Sequence, residues 1–125
     1  MIDRLDHLVL TTAHEAQCVH FYCTVLGMAL QTFGEGRKAF VFNGQKINLH
    51  IQGREFEPKA LHPLPGALDL CFIASIPLAQ VQQRLAEHGI AIECGPVQRT
   101  GARGPIRSVY VRDPDHNLIE ISEYA

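Results

Sequence analysis

The sequence predicts an α+β fold of two tandem βαβββ modules, and two observations lead to this prediction. One order of elements, a strand, a helix and three further strands, occurs twice along the 125 residues. Within most strands apolar residues alternate with polar ones, as in a sheet that packs one face on helices. We therefore expect eight strands in mixed half-barrel sheets, with the helices on the outer face.

The first module is predicted over residues 1–52. The segment Thr12-Ala-His-Glu15 has the capping-box pattern of a helix N-terminus, and apolar residues then recur at helical spacing up to Gly27. Asn43-Gly44 is typical of a tight hairpin turn between two strands. The predicted elements are a strand over 5–10, a helix between Thr12 and Gly27, and strands over 28–33, 38–43 and 46–51.

The second module is predicted over residues 67–125, after a linker loop over 53–66 that is rich in proline, glycine and charge. Pro77 favours the start of a helix and Gly89 favours its end. The Gly/Pro/Arg-rich segment 95–105 is predicted to be a loop. The remaining elements are strands over 67–73, 90–94, 106–112 and 118–122, with a tight turn over 113–117.

The composition is that of a folded protein with no bulk attraction to nucleic acid or to anionic membranes. Hydrophobic residues make up 46% of the chain, charged residues 19%, and the net charge is -2. No apolar run approaches the roughly 20 residues of a membrane span, and the N-terminus lacks the shape of a signal peptide. We therefore expect a cytoplasmic protein.

The chain has four cysteines and no C-x-x-C pair. We predict that all of them stay reduced. Cys23, Cys71 and Cys94 are predicted to be buried apolar side chains, the first on a helix and the other two in strands.

Four candidate metal ligands lie at related positions of the two modules. Matching the first strands pairs His7 with Asp69, and matching the last strands pairs His50 with Glu120. Because side chains alternate along a strand, each of the four opposes the apolar row that packs on the helix. We therefore expect all four on the concave side of their sheets, where imidazole and carboxylate groups would suit a divalent transition metal.

Three segments resemble one known superfamily: the first strand 5–10, the helix end 21–28, and the closing motif 111–121 with its Asp-Pro-Asp-His-Asn turn. Nearly the whole chain is similar to vicinal oxygen chelate proteins. These include glyoxalase I, fosfomycin-resistance transferases, bleomycin-resistance proteins and extradiol dioxygenases. Small single-chain glyoxalase-domain proteins are the members that it resembles most.

The resemblance implies a centre for Zn, Ni, Mn, Co or Fe, with ligands from the first and last strands of each module. His7 and Glu120 match this pattern directly. Asp69 stands where relatives usually carry His, and His50 where they often carry Glu. His116 stands where relatives usually carry Gly, and we predict a turn residue there rather than a ligand.

The function that the resemblance implies is chelation of two neighbouring oxygens of a small-molecule substrate, followed by a glyoxalase-like lyase or isomerase reaction. Glu120 and Asp69 are the candidates for moving a proton. Arg99 and Arg103 are candidates for binding an anionic substrate group, and Tyr110 is a candidate for lining the pocket.

Two other functions stay open. An extradiol-type dioxygenase would hold Fe(II) with two His and one carboxylate, here His7, His50 and Glu120. A non-enzymatic small-molecule binder of the bleomycin-resistance kind would need no metal ligands. The resemblance also implies a homodimer, in which the first-module ligands of one chain meet the second-module ligands of the other. The sequence leaves a within-chain site open as well.

Overall fold

Two four-stranded sheets organise the chain, one in each of its compact units, Met1–Ala67 and Leu68–Ala125. The computed structural model describes all 125 residues. The first unit contains β1 (His7–Thr12), α1 (Glu15–Val19), a π-helical stretch (His20–Val25), β2 (Ala29–Phe33), β3 (Arg37–Phe42) and β4 (Gln45–Ile51). The second contains β5 (Asp69–Ile73), α2 (Leu78–Glu87), β6 (Cys94–Gly101), β7 (Gly104–Arg112) and β8 (Leu118–Tyr124). No helix in either unit is long and apolar enough to cross a membrane.

Both sheets have one topology. The strand order is β1-β4-β3-β2 in the first and β5-β8-β7-β6 in the second. The first and last strands of each unit pair in parallel, which requires a long connection between them, and the other pairs are antiparallel. Each unit is thus a βαβββ module, which confirms the predicted α+β fold.

Alternation along the strands separates an apolar face from a polar one. In the first unit, Leu10, Ile47 and Phe40 are fully buried on the apolar face. Tyr22, from the π-helical stretch, stacks on Phe40 with ring centroids 5.1 Å apart. The second sheet packs in the same way on α2, whose buried residues are Leu78, Val81 and Leu85. The opposite face of each sheet therefore carries the polar side chains, which include the candidate ligands.

The predicted capping box at Thr12 is wrong. Thr12 still belongs to β1, and the residue before the helix is His14, whose backbone N–H donates to Thr12 Oγ1 at 3.0 Å. Glu15 pairs instead with Lys38 at 2.7 Å. A tertiary ion pair therefore uses the carboxylate that the local pattern assigned to the helix terminus.

Two predictions in the second unit are also wrong. Residues 95–105 form a β-hairpin rather than a loop, and of the predicted strand 90–94 only Cys94 is in a strand, the start of β6. Gly95 adopts a φ of 105° at an irregularity in the β6–β7 pairing. A Cβ there would collide with the backbone oxygen of Ser108. Close strand approach therefore accounts for a glycine that made the segment resemble a loop.

The cysteines are all free, but two of them are not buried as predicted. Cys71 and Cys94 are exposed, Cys18 is buried and Cys23 is partly buried. Cys71 lies opposite Glu120 in the β5–β8 register, so it points to the polar face. The apolar character of cysteine favoured burial of Cys71, but its position in the strand alternation places it on the polar face.

Candidate functional site

His7 begins β1 and is 45% exposed on the polar face of the first sheet. Its Nδ1 lies 2.8 Å from Asp6 Oδ1, and this hydrogen bond holds the pKa of Asp6 below its usual range. A carboxylate on one ring nitrogen places the proton there and leaves the lone pair on Nε2. His7 therefore has the arrangement of a metal-binding histidine.

The strand register separates His50 from His7. In the parallel pair of β1 and β4, His7 lies beside Lys46, whereas His50 lies beside Thr11, four residues further along. At about 3.3 Å per residue, this offset is roughly 13 Å along the strands. Asn48 lies on the same face as His50 and is offset from His7 by half that distance.

The second unit repeats the shorter offset. Glu120 lies two residues further along β8 than the register partner of Asp69. Once His7 is matched with Asp69, the first-unit counterpart of Glu120 is therefore Asn48. The overlay that paired His50 with Glu120 is wrong by two residues, because a shift of two leaves the apolar alternation unchanged.

Asn48 and His50 are both buried on the polar face, at 6% and 3% exposure. Asn48 Oδ1 and His50 Nδ1 have no hydrogen-bond partner, which is rare for buried polar atoms. Burial, assisted by the positive charge of Arg37, lowers the pKa of His50, so its imidazole is neutral at pH 7. These two unsatisfied atoms on one strand are the strongest signal of a binding site in the first unit.

Glu120 lies in a hydrogen-bonded network on the polar face of the second sheet. The buried Ser108 donates its hydroxyl to Glu120 Oε2 at 2.6 Å, and Ser122 Oγ lies 2.7 Å from Ser108 Oγ. Cys71 Sγ lies 3.4 Å from Ser122 Oγ. Although Cys71 is exposed as a residue, partial desolvation of its thiol raises the thiol pKa, and the charges of Glu120 and Asp69 add to the rise, so the thiol stays protonated at neutral pH.

Two of the three predicted substrate contacts lie beside this network. Tyr110 is the register partner of Glu120 on β7, and Arg99 Nε donates to Tyr110 Oη at 3.1 Å. Burial raises the pKa of Tyr110, as does the Glu120 charge, while the bond from Arg99 opposes the rise. Arg103 lies instead at the hairpin tip, 4.7 Å from the ring centroid of Tyr124. That ring is four residues, or roughly 13 Å, along β8 from Glu120.

Asp69 is exposed at the start of β5, on the same face as Glu120. No group of three or more His, Cys, Asp or Glu side chains in the chain is arranged to hold a metal ion. The candidate ligands therefore form two partial sets, His7 with Asn48 on the first sheet and Asp69 with Glu120 on the second.

The turn before β8 behaves as predicted. His116 has a φ of 68°, in the left-handed region. Asp113 Oδ1 accepts the backbone N–H groups of Asp115 and Asn117, each at 2.9 Å. His116 is therefore a turn residue whose conformation is imposed by the Asp113 side chain.

Comparison with known proteins identifies the family. A family model described as Glyoxalase/Bleomycin resistance protein/Dioxygenase superfamily matches residues 4–121. The chain belongs to that superfamily. It is 56% identical to Virulence protein STM3117 of Salmonella typhimurium, over 99% of this chain and 86% of the relative. It is 58% identical to Glyoxalase domain-containing protein RDO1 of Mycosarcoma maydis, over 96% of this chain and 68% of the relative.

Solved structures agree with this assignment. The crystal structure of STM3117 has a TM-score of 0.98 at 55% identity, covering 100% of this chain and 99% of that chain. A lactoylglutathione lyase from Agrobacterium tumefaciens shares the fold at 22% identity, with a TM-score of 0.74 and coverage of 98% and 95%. TnmS3, an antibiotic binding protein from Streptomyces sp. CB03234, shares it at 19% identity, with a TM-score of 0.77 and coverage of 99% and 98%. The fold alone therefore does not distinguish an enzyme from a binding protein.

Sequence reasoning missed Asn48, Ser108 and Arg37. Alternation along β4 places Asn48 on the face of His50, and alternation along β7 places Ser108 on the face of Tyr110. The alternation that places these residues on the polar face can be read from the sequence. The register between strands cannot, and the register decides which of these residues lie next to His7 or Glu120.

Proposed function

We propose that this protein is a divalent-metal-dependent enzyme of the glyoxalase kind, which chelates two neighbouring oxygens of a small substrate in a lyase or isomerase reaction. The main support is the pair His7 and Glu120, each at a ligand position of the superfamily and each held by a neighbouring side chain. Asp6 holds His7 at 2.8 Å, and Ser108 holds Glu120 at 2.6 Å. Metal ligands are commonly oriented by such partners.

The donors present fit a divalent metal. His7 offers its Nε2, and Glu120 offers a carboxylate oriented by Ser108. Asp69 offers a second carboxylate on the face of Glu120, and Asn48 offers a buried amide oxygen without a partner. Nitrogen and oxygen donors of this kind suit Zn, Ni, Mn, Co and Fe. We therefore propose His7, Glu120 and Asp69 as ligands, with Asn48 completing the set.

When bound, a divalent metal polarises the substrate oxygens and stabilises negative charge on them. The side chains of the chain then handle the proton. Glu120 and Asp69 are carboxylates on one face. Whichever of the two is not donating to the metal is suited to accept a proton from a carbon beside a carbonyl and to return it to the neighbouring carbon. The Tyr110 phenol is protonated at neutral pH, as its ordinary pKa of 10 already requires, and burial raises that pKa further, so it can donate a hydrogen bond to a substrate oxygen.

We propose that a second copy of the chain completes each site. Each sheet carries only two of the proposed ligands, and no larger group that could hold an ion occurs in the chain. A homodimer in which the first unit of one chain meets the second unit of its partner would bring the two partial sets together. Sedimentation analysis should then give a dimer. A monomer that binds metal stoichiometrically would contradict this arrangement.

The dioxygenase alternative requires His50 as a third ligand beside His7 and Glu120. The register offset of four residues, roughly 13 Å along the strands, argues against one ion bound to both histidines. The ligand role of His50 stays a prediction that metal titration tests. The alternative of a non-enzymatic binder is tested by metal content and turnover.

Metal content and turnover of the untagged protein test the proposal, beside Glu120→Gln and the control Glu87→Gln on the exposed surface of α2. We expect near-stoichiometric metal in the wild type and in Glu87→Gln, and loss of metal and of turnover of 2-oxoaldehyde–thiol adducts in Glu120→Gln. Oxygen-sensitive iron with catechol cleavage would favour the dioxygenase. If the wild-type protein takes up no metal after reconstitution, the result would favour the non-enzymatic binding protein over the metal-dependent enzyme.

A further inference from the structure

A row of side chains crosses the polar face of the first sheet at the end where His50 lies. Phe33 and Arg37 are register partners on β2 and β3, and the β3–β4 register continues from Arg37 to His50. The Arg37 guanidinium lies 4.9 Å from the ring centroid of Phe33 and 4.7 Å from that of Phe56. Two aromatic rings therefore fix this cation on the surface of the sheet.

Lys46 reaches the same place along the face. Its Nζ lies 4.0 Å from the ring centroid of Phe33, so two cations share one aromatic ring. None of the ion pairs of the chain includes Arg37 or Lys46. Stacking occupies the planar face of the Arg37 guanidinium and leaves the N–H donors at its edge available, and the Lys46 ammonium keeps the N–H donors that do not point at the ring. The pair is thus a concentration of positive charge that no direct ion pair neutralises, although the Asp6 carboxylate interacts with Lys46 over a longer distance.

Glu55 is the acidic side chain that acts electrostatically on His50, and its carboxylate already has partners of its own. Glu55 accepts the backbone N–H of Gly53 at 2.6 Å and lies 3.8 Å from Lys59 Nζ. The ring of Phe56 lies 5.8 Å from that of His50, centroid to centroid, and covers it from the loop that follows β4. His50 keeps a buried Nδ1 without a partner, at 3% residue exposure.

We propose that Phe33, Arg37, Lys46, His50 and Phe56, the His50 cluster, bind the oxyanion group of a small organic substrate. A carboxylate or a phosphate has the geometry that the Arg37 fork accepts, and its charge complements Lys46. His50 Nδ1–H donates to the same anion, and Phe56 covers the carbon part. The inference rests on the proposed function only in taking this anion as part of the substrate.

The cluster differs from an ordinary solvated surface charge in two respects. A surface arginine is free to move and hydrated on all sides, whereas the Arg37 guanidinium lies against the rings of both Phe33 and Phe56. A surface histidine has water as a partner, whereas the His50 ring nitrogen is excluded from it. An anion that enters this position satisfies His50 Nδ1 and compensates both cations together.

Titration of the isotope-labelled full-length protein with benzoate and, separately, with inorganic phosphate tests the cluster by NMR. The variants are Arg37→Gln and Lys46→Gln, with Arg4→Gln as a control that loses the same charge at an exposed site. Backbone resonances of the cluster should shift in a saturable way. Arg37→Gln should weaken benzoate binding by about tenfold or more, and Lys46→Gln should weaken it as well, because hydrogen bonds to charged groups are strong. Arg4→Gln should bind as the wild type does.

The outcomes separate the two proposals. Benzoate binding that depends on Arg37 in protein stripped of metal by chelation and dialysis would support the cluster even if no metal site exists. Preferred binding of phosphate on the same residues would identify phosphate as the group recognised. Equal benzoate affinity in Arg37→Gln, Lys46→Gln and Arg4→Gln, with native circular dichroism in each, would overturn the cluster. That result would leave the metal proposal standing.

Discussion

Asn48→Ala should weaken metal binding, whereas His50→Gln should leave it at the wild-type value. Asn48 and His50 lie on the same strand and face, two and four residues beyond the register partner of His7. With about 3.3 Å per residue and about 4.8 Å between strands, the Cα atoms lie roughly 8 Å and 14 Å from that of His7. Two donors on one ion sit about 2 Å from it, and so within about 4 Å of each other. Side chains that stand nearly perpendicular to a sheet can close the shorter gap but not the longer one.

The assay is a competition titration of the metal-free proteins with Zn²⁺ against a chromophoric chelator. Loss of a metal-binding or metal-orienting group commonly costs about 10- to 100-fold in affinity, and we expect Asn48→Ala to fall in that range. Asn48→Asp should bind Zn²⁺ more tightly than the wild type, because it places a carboxylate at the counterpart of Glu120. Loss of Zn²⁺ in His50→Gln together with wild-type affinity in Asn48→Ala would refute the register argument and restore His50 as the ligand.

Three further predictions follow from individual contacts. Ser108→Ala should lower Zn²⁺ affinity by about 10-fold or more, because Glu120 loses the hydroxyl that orients it. The control Ser75→Ala, at an exposed position, should keep the wild-type affinity. Equal Zn²⁺ affinities of the two variants in a competition titration would contradict this prediction. The pKa of His50 is lower in the folded chain than its ordinary value of 6.5. Between the folded and unfolded pKa values the unfolded state binds more protons, so the free energy of unfolding falls as pH drops below about 6.5. Urea unfolding of the metal-free protein at two pH values spanning this window should show a smaller fall in His50→Gln, and an identical fall would remove His50 as a cause. His116→Gly should raise the free energy of unfolding by up to about 1 kcal/mol, because His116 has a φ of 68°; a lower thermal midpoint than wild type would show that the side chain contributes more than its strain.

Much of the fold was predictable because it depends on periodicity and on turn residues. Alternation of apolar residues gave the strands of the first unit to within one or two residues, and glycine and proline positions gave their limits. The duplicated order of elements predicted two βαβββ modules, which the sheets confirm. The predicted strand over 106–112 forms most of β7, whereas β6 was missed because the composition of residues 95–105 is that of a loop. Pairing with β7 satisfies its backbone hydrogen bonds regardless of composition.

Strand parity by itself determined which face carries His7, Asn48 and Glu120, because the period of two along a strand is fixed by backbone geometry. Only the tertiary structure decided which of these residues are neighbours. A shift of two residues between strands keeps every side chain on its face while moving it about 7 Å, so the apolar pattern does not specify it. The register alone moved the candidate partner of His7 from His50 to Asn48. The two cations over Phe33 likewise cannot be predicted from the sequence, because Arg37 and Lys46 meet there only when β2, β3 and β4 are paired.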